Sequence, residues 1–244
     1  MSFSVSVLLI LFAASVVASF IQRVSGFGFG IFIMTILPYV MPSYGESTTL
    51  SGLLALTQSL VVVVQMRHYI VLRRVVPMLL AFLVTSYFAV GYVARFDTVF
   101  FMHVLGGVLI LLSIYFLFFS SRIHVSQSVP MQMTMGGVSG VMGGFFGMQG
   151  PPAVLYYVQS EPDKAHYAAQ TQLYFFSGNA FMTVVRSQNG FLTPAVGQAW
   201  VFAILGVVVG TFIGTKVFNR ISADVLRKVV YGYMAVSGVV ALLK

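Results

Sequence analysis

Two glycine-rich runs hold the backbone best suited to chemistry in this chain. The first is Ser25-Gly26-Phe27-Gly28-Phe29-Gly30, followed by Pro38, and the second is Gly143-Gly144-Phe145-Phe146-Gly147-Met148-Gln149-Gly150-Pro151-Pro152. Each interrupts an apolar segment with residues that break helices. A helix restarting after such a break exposes unpaired N–H groups and the positive end of its dipole. Glycine has no Cβ, so an anion can approach that backbone closely. Two such starts meeting inside a membrane would make a site for a small anion, and Gly26, Gly28, Gly30, Gly147, Gly150 and Pro151 are its backbone candidates.

Polar side chains near the breaks form a second group: Gln22, Arg23, Ser25, Gln58, Gln149, Gln170, Gln172 and Asn179. An amide set among apolar residues needs partners, which a wet substrate path or a neighbouring helix supplies. Gln149 lies inside the second break, and Gln58 and Asn179 occupy corresponding positions of the two halves. With Gln22, Arg23 and Ser25 they complete the candidate substrate site. Arg23 either offers positive charge to an anion or snorkels to the interface.

The carboxylates Glu46, Asp97, Glu161, Asp163 and Asp224 all fall at segment ends, which argues against a cation pathway or a carboxylate proton relay. His103 and His166 read as structural residues. No His/Glu cluster has zinc spacing, no acidic cluster suits magnesium, and Ser113 and Ser139 lack a nearby base. Neither an enzyme nor a metal or cofactor is expected.

These residues must be positioned by membrane helices. Hydrophobic residues make up 59% of the 244 positions and charged residues 7%, too apolar a balance for a soluble domain. The net charge of +8 comes from Lys and Arg scattered among short loops, so it reads as a topology signal and not as a nucleic-acid surface. With no cysteine, disulfides and thiolate sites are excluded.

A span needs about 20 apolar residues. Segments are expected at 3–22, 26–41, 46–66, 70–94 and 98–119, then at 131–147, 150–159, 166–186, 194–217 and 223–243. The first has no preceding Lys or Arg and is long for a signal sequence, so it reads as a retained helix. Segments 26–41 and 150–159 are too short for a straight span, and each is a half-helix, a tilted short crossing or a re-entrant turn.

The expected fold is an all-α polytopic membrane protein of two repeats with about five segments each, 1–120 and 131–244, joined by a polar linker at 121–130. Gly26 falls opposite Gly147, Gly107 opposite Gly232 and Ser113 opposite Gly238, while Phe96-Asp97-Thr98 falls opposite Ile221-Ser222-Ala223. Gly106, Gly107, Gly206, Gly210 and Gly214 read as packing residues. Counting five crossings per half puts Arg23, Arg67, Arg73, Arg74, Arg122, Lys164, Lys216, Arg220, Arg227 and Lys228 on one side and Arg95, Arg186 and Lys244 on the other. Four crossings per half divide the charges evenly. Cytoplasmic loops are enriched in Lys and Arg, so the uneven count favours inverted repeats with both termini outside.

The breaks also resemble a known family. Residues 22–29 (QRVSGFGF), leading to Pro38, and residues 143–157 (GGFFGMQGPPAVLYY) resemble the two signatures of the TauE/SafE family of sulfite and organosulfonate exporters. Asp163-Lys164 and the stretch 190–194 are similar to the family pattern as well. Phe29 and Gln149 depart from it, each standing where a signature glycine is common. The resemblance implies a mostly bacterial anion permease, placed in the inner membrane.

Paired breaks in corresponding places of two halves point to a transporter's binding site. The combined expectation is a secondary transporter, an exporter of sulfite, an organosulfonate or a related sulfur-containing or carboxylate anion. Its partners are that small anion and the lipid bilayer, with a homodimer left open. Proton-coupled uptake through His103, His166 or Glu46 is the alternative within the same class, and a non-transporting scaffold subunit is the alternative outside it.

Overall fold

Helix ends are the informative part of this architecture. The computed structural model describes residues 3–93, 95, 97–119, 125–161, 163–217 and 223–243. Among these, the chain is helical throughout and contains no strand. Residues 121–124 of the expected linker lie outside the described residues, as do Phe96, Arg122, Arg220, Ile221, Ser222 and Lys244.

Helix α1 (Val5–Ser25) begins where the Ser4 hydroxyl caps the Val7 amide. It stops at Gly26, whose φ of 87° is left-handed and whose N–H donates to Gln22 O at 2.9 Å. Glycine takes that conformation without strain, which is why the helix ends there. The chain restarts after Gly28 as α2 (Phe29–Ile33) and α3 (Leu37–Val40), so the segment expected at 26–41 is two short helices. Helices α4 (Tyr44–Gln65), α5 (Val76–Val93) and α6 (Thr98–Ile114) follow, with a π turn closing α6 at Tyr115–Phe119. The segment expected from residue 70 starts at Val76 instead, because Arg67–Tyr69 and Leu72–Arg74 form separate 3-10 turns.

In the second half, α7 (Val129–Phe146) ends at Gly147, again left-handed at φ 66°, with its N–H on Gly143 O at 3.0 Å. It is followed by α8 (Gly150–Ser160), α9 (Lys164–Gln188), α10 (Pro194–Val217) and α11 (Ala223–Leu243). Helices α1, α4, α5 and α10, and α6 continued to Phe118, are long and apolar enough to cross a membrane. The chain is an integral, multi-pass helical membrane protein.

The principal helix partners are α1 with α10, α5 with α7, α4 with α9, and α6 with α11; α10 also touches α4, and α5 touches α9. Lipid tails are as apolar as leucine, so helices associate here through close packing and hydrogen bonds. Glycines provide the approach. Gly136, Gly140 and Gly144 recur every four residues along α7 and lie against α5, while Gly206, Gly210 and Gly214 do the same on α10 against α1. Gly106 and Gly238 face each other across α6 and α11, where a Cβ on either would sit 2.8 or 2.7 Å from the other's carbonyl oxygen. Gly107 departs from the expected packing role, since a Cβ there would meet nothing within 4 Å.

This difference predicts opposite outcomes. Gly140→Leu forces a side chain into the backbone of Phe82, whose oxygen would lie 2.6 Å from the new Cβ. It should destabilise the protein by about 1–3 kcal/mol or more, read as a lower melting temperature in detergent. Gly107→Ala should leave that temperature unchanged or raise it, because alanine is the better helix former by about 1 kcal/mol.

Candidate functional site

The two breaks touch. A Cβ built on Gly30 would collide with the Gly147 carbonyl oxygen and lie 3.1 Å from Met148 Cα, so these two backbones lie in contact. Beside the contact lies a small, partly open cavity. Gly28, Phe29, Gly30 and Ile31 line it from the first break, and Gly147, Met148, Gln149 and Gly150 from the second. Gln22 of α1, Ala55 of α4, and Phe175 and Asn179 of α9 complete the wall. None of these residues is charged.

Neither α2 nor α8 has a side-chain cap at its start. The first-turn amides of Phe29, Gly30 and Ile31 therefore belong to residues on the cavity wall with no capping oxygen from their own helix. Helix α8 offers fewer donors, because Pro151 and Pro152 lack an N–H and leave Gly150 as its first-turn amide. The supply of uncapped first-turn amides is thus uneven and lies mainly at the first break.

Seven of the expected site residues line the cavity: Gln22, Gly28, Gly30, Gly147, Gln149, Gly150 and Asn179. The other five lie outside its wall. Gly26 caps α1 beneath Tyr167, whose Oη would be 2.6 Å from a Cβ there. Ser25 braces the first break, its Oγ donating to Ile21 O at 2.8 Å or Phe27 O at 2.6 Å. Pro151 is buried in the first turn of α8. Gln58 donates from Nε2 to Ser19 O at 2.8 Å, tying α4 to α1. Arg23 is half-buried on the α10 side, with Nε donating to Thr215 Oγ1 at 2.8 Å.

Two of the wall amides, Gln22 and Gln149, donate to neighbours. Gln22 Nε2 donates to Gln172 Oε1 at 3.4 Å, and Gln172 Nε2 donates to Gly26 O at 3.5 Å. Gln149 Nε2 donates to Phe175 O at 3.1 Å, while Ser139, itself receiving a hydrogen bond from Tyr174 at 2.7 Å, donates to Gln149 O. Gln170 is bound to the Tyr69 and Val71 backbone at the end of the bundle and plays no part in the cavity.

Sequence reasoning missed Ser51, whose Oγ donates to Gly147 O at 3.5 Å, and misread Arg186 as a loop charge. Arg186 is only 1% exposed, inside α9. Its position seven residues after Asn179, hence on the same helix face, was the available signal. Ser51, Ala55 and Gln58 share a face of α4 by the same spacing.

A helical, multi-pass membrane protein with a neutral cavity between two broken helices belongs to the class of membrane transporters. The family model described as sulfite exporter TauE/SafE matches residues 11–241, and the chain belongs to that family. Members of the family are transporters and not enzymes. No curated protein and no solved structure matches the chain.

Steric and electrostatic predictions follow from this geometry. Gly30→Ala pushes backbone against backbone and Gly147→Ala strains a left-handed residue, so each should lower the melting temperature in detergent. Gly150→Ala should not, because its Cβ would make ordinary contacts of 3.5 Å with Phe27 and 3.6 Å with Phe175. At the start of α9, Asp163 Oδ1 accepts from the His166 and Ala165 amides at 3.0 and 2.8 Å, and Oδ2 pairs with His166 Nδ1 at 2.8 Å. The His166 amide and ring foremost hold this carboxyl below its ordinary range. A carboxylate so lowered stabilises the fold above its unfolded pKa, about 3.9, and loses that contribution as pH falls through the lower folded value. Hydrogen exchange at the Ala165 and His166 amides should therefore accelerate at acid pH beyond its intrinsic trend, and Asp163→Asn should abolish the extra dependence.

Proposed function

We propose that the chain is a secondary transporter that exports a small anion, such as sulfite, an organosulfonate or a related sulfur-containing or carboxylate anion. The anion binds between the two glycine breaks near the bilayer midplane. The observation that carries this reading is the contact of Gly30 with Gly147 beside a neutral cavity bordered by uncapped helix starts. Such starts favour negative charge, and the absence of a carboxylate from the wall removes a source of repulsion. The site comprises the seven wall residues named above, with Gly26, Ser25, Pro151 and Gln58 supporting it and Arg23 at its periphery.

Membrane potential suffices to drive export, at about 2.3 kcal/mol per charge per 100 mV and twice that for a dianion. None of His103, His166 and Glu46 lines the cavity, so no observation favours proton-coupled uptake. Glu46 instead accepts hydrogen bonds from Ser43 at 2.9 Å and Thr193 at 2.5 Å, joining the starts of α4 and α10.

The halves 1–120 and 131–244 form inverted repeats about the linker at 121–130. Helix partnership supports a two-fold repeat. Exchanging α1 with α7, α4 with α9, α5 with α10 and α6 with α11 turns the α1–α10 pair into α7–α5 and returns α4–α9 and α6–α11 to themselves. Arg186 leaves the count of loop charges, which sharpens the excess on the opposite side and favours both termini outside a bacterial inner membrane.

The test is flux of radiolabelled sulfite in proteoliposomes at clamped membrane potential, with sulfonates and carboxylates as competitors. Saturable flux should follow potential without a pH gradient, and Gly150→Leu should abolish it while the protein still inserts and melts cooperatively. A folded wild-type protein that moves none of these anions would sink the reading.

A further inference from the structure

Arg186 is the largest side chain in the bundle with less than 2% exposure. Its Nη1 donates to Thr48 O of α4 at 2.8 Å, and its Nη2 donates to Gly143 O at 2.8 Å and Gly144 O at 3.4 Å in the last turn of α7. All three acceptors are neutral carbonyls. Among the described residues, the ion pairs are Arg74 with Glu161 and His166 with Asp163, and none includes Arg186. The negative end of the α7 dipole offsets part of the charge. A guanidinium does not lose its proton in proteins, so a positive charge stays inside the bundle without a carboxylate.

Burying an ion without a counter-ion is expensive, and an ionisable side chain inside a membrane bundle marks a functional site by default. Bridging helices does not require the charge, because neutral donors satisfy carbonyls elsewhere in this bundle: Gln58 does so on Ser19, and Gln149 on Phe175. Nor does the fold demand a cation at the corresponding place in the first half. Seven residues beyond Gln58, α4 carries Gln65, which is exposed.

The position of the charge relative to the cavity is informative. Gly143 O accepts from Arg186 and from the amide of Gly147, so one carbonyl joins the guanidinium to the second break. Gly52 separates Arg186 from the wall residue Asn179: a Cβ on Gly52 would lie 2.9 Å from Arg186 Nη1 and 3.6 Å from Asn179 Oδ1. The guanidinium therefore stands directly behind the wall. We propose that Arg186 sets the charge of the anion the cavity accepts, as a positioning residue acting through space from behind Asn179 and Gly147, and this rests on the anion-transport reading above. Its field favours a doubly charged anion over a singly charged one of similar shape. At an effective dielectric constant near 20 and a separation on the order of 10 Å, the effect is about tenfold in affinity per unit of anion charge.

The test compares sulfite, doubly charged at alkaline pH, with singly charged methanesulfonate. Equilibrium binding in detergent and flux in proteoliposomes are measured for the wild type, Arg186→Lys and Arg186→Gln, with melting curves for each, and binding to the wild type is followed across pH. Arg186→Lys keeps the charge and should keep the preference for sulfite, at reduced stability because an ammonium lacks the planar fork that bridges α4 and α7. Arg186→Gln should reduce the sulfite-to-methanesulfonate preference about tenfold, a ratio that a merely structural defect would not move. In the wild type, affinity for sulfite should rise about tenfold as rising pH takes the anion from its singly to its doubly charged form while affinity for methanesulfonate does not, which provides a reading should Arg186→Gln fail to fold. An unchanged ratio in folded Arg186→Gln, or a wild type that binds both charge forms of sulfite alike, overturns the assignment while the transport reading stands. A wild-type protein that neither binds nor moves either anion overturns both.

Discussion

A helix that ends in the interior of a bundle leaves carbonyls and amides where no water reaches them, and each unsatisfied group costs several kcal/mol. Both α1 and α7 end this way, and much of the structure follows from closing those ends. Gly26 and Gly147 each turn left-handed and return an amide to the carbonyl four residues back. Two further carbonyls are satisfied from across the molecule. Gln172 of α9 donates to the Gly26 carbonyl, and Ser51 of α4 donates to the Gly147 carbonyl, each at 3.5 Å. Each break is thus completed by a side chain from the opposite half, which draws the breaks together.

Glycine serves two physical roles in this chain. At Gly26, Gly28 and Gly147 the backbone itself demands a positive φ. In the runs Gly136-Gly140-Gly144 and Gly206-Gly210-Gly214, it is the missing Cβ that counts, since neighbouring backbone occupies the space a side chain would need. Gly30 belongs to the second kind and yet lines the cavity, so close packing and the site meet at one residue.

The electrostatics of the cavity are indirect. Its wall carries amides, glycine backbone and apolar rings, with no charge in contact. In the proposed function, oriented N–H groups at the starts of α2 and α8 are the short-range source of a preference for anions, weakened at α8 by its two prolines. The guanidinium of Arg186, behind Asn179, is the longer-range charge in the same proposal, with a neutral lining that would not screen it as water does. Under that proposal, a wall that holds an anion without pairing to it also suits release, which transport requires as much as binding.

The sequence by itself determined that this is a helical membrane protein, where its helices lie and where they break, because apolar run length and the conformations open to glycine and proline are local properties. Gly26 and Gly147 were legible as equivalent breaks for that reason, and most segment bounds agree within a few residues. The split of 26–41 into two short helices had its signal in Pro38, which has no N–H for the Met34 carbonyl and sits in the first turn of α3, but the expected segment ran through it. The contact of Gly30 with Gly147, the turning of Gln58 away from the cavity, and the burial of Arg186 were decided only by tertiary structure. An arginine near the end of an apolar segment reads as a charge that reaches water. Here the α4 and α7 carbonyls lie within reach of its guanidinium in the interior, and only the packing of three helices against one another could bring them there.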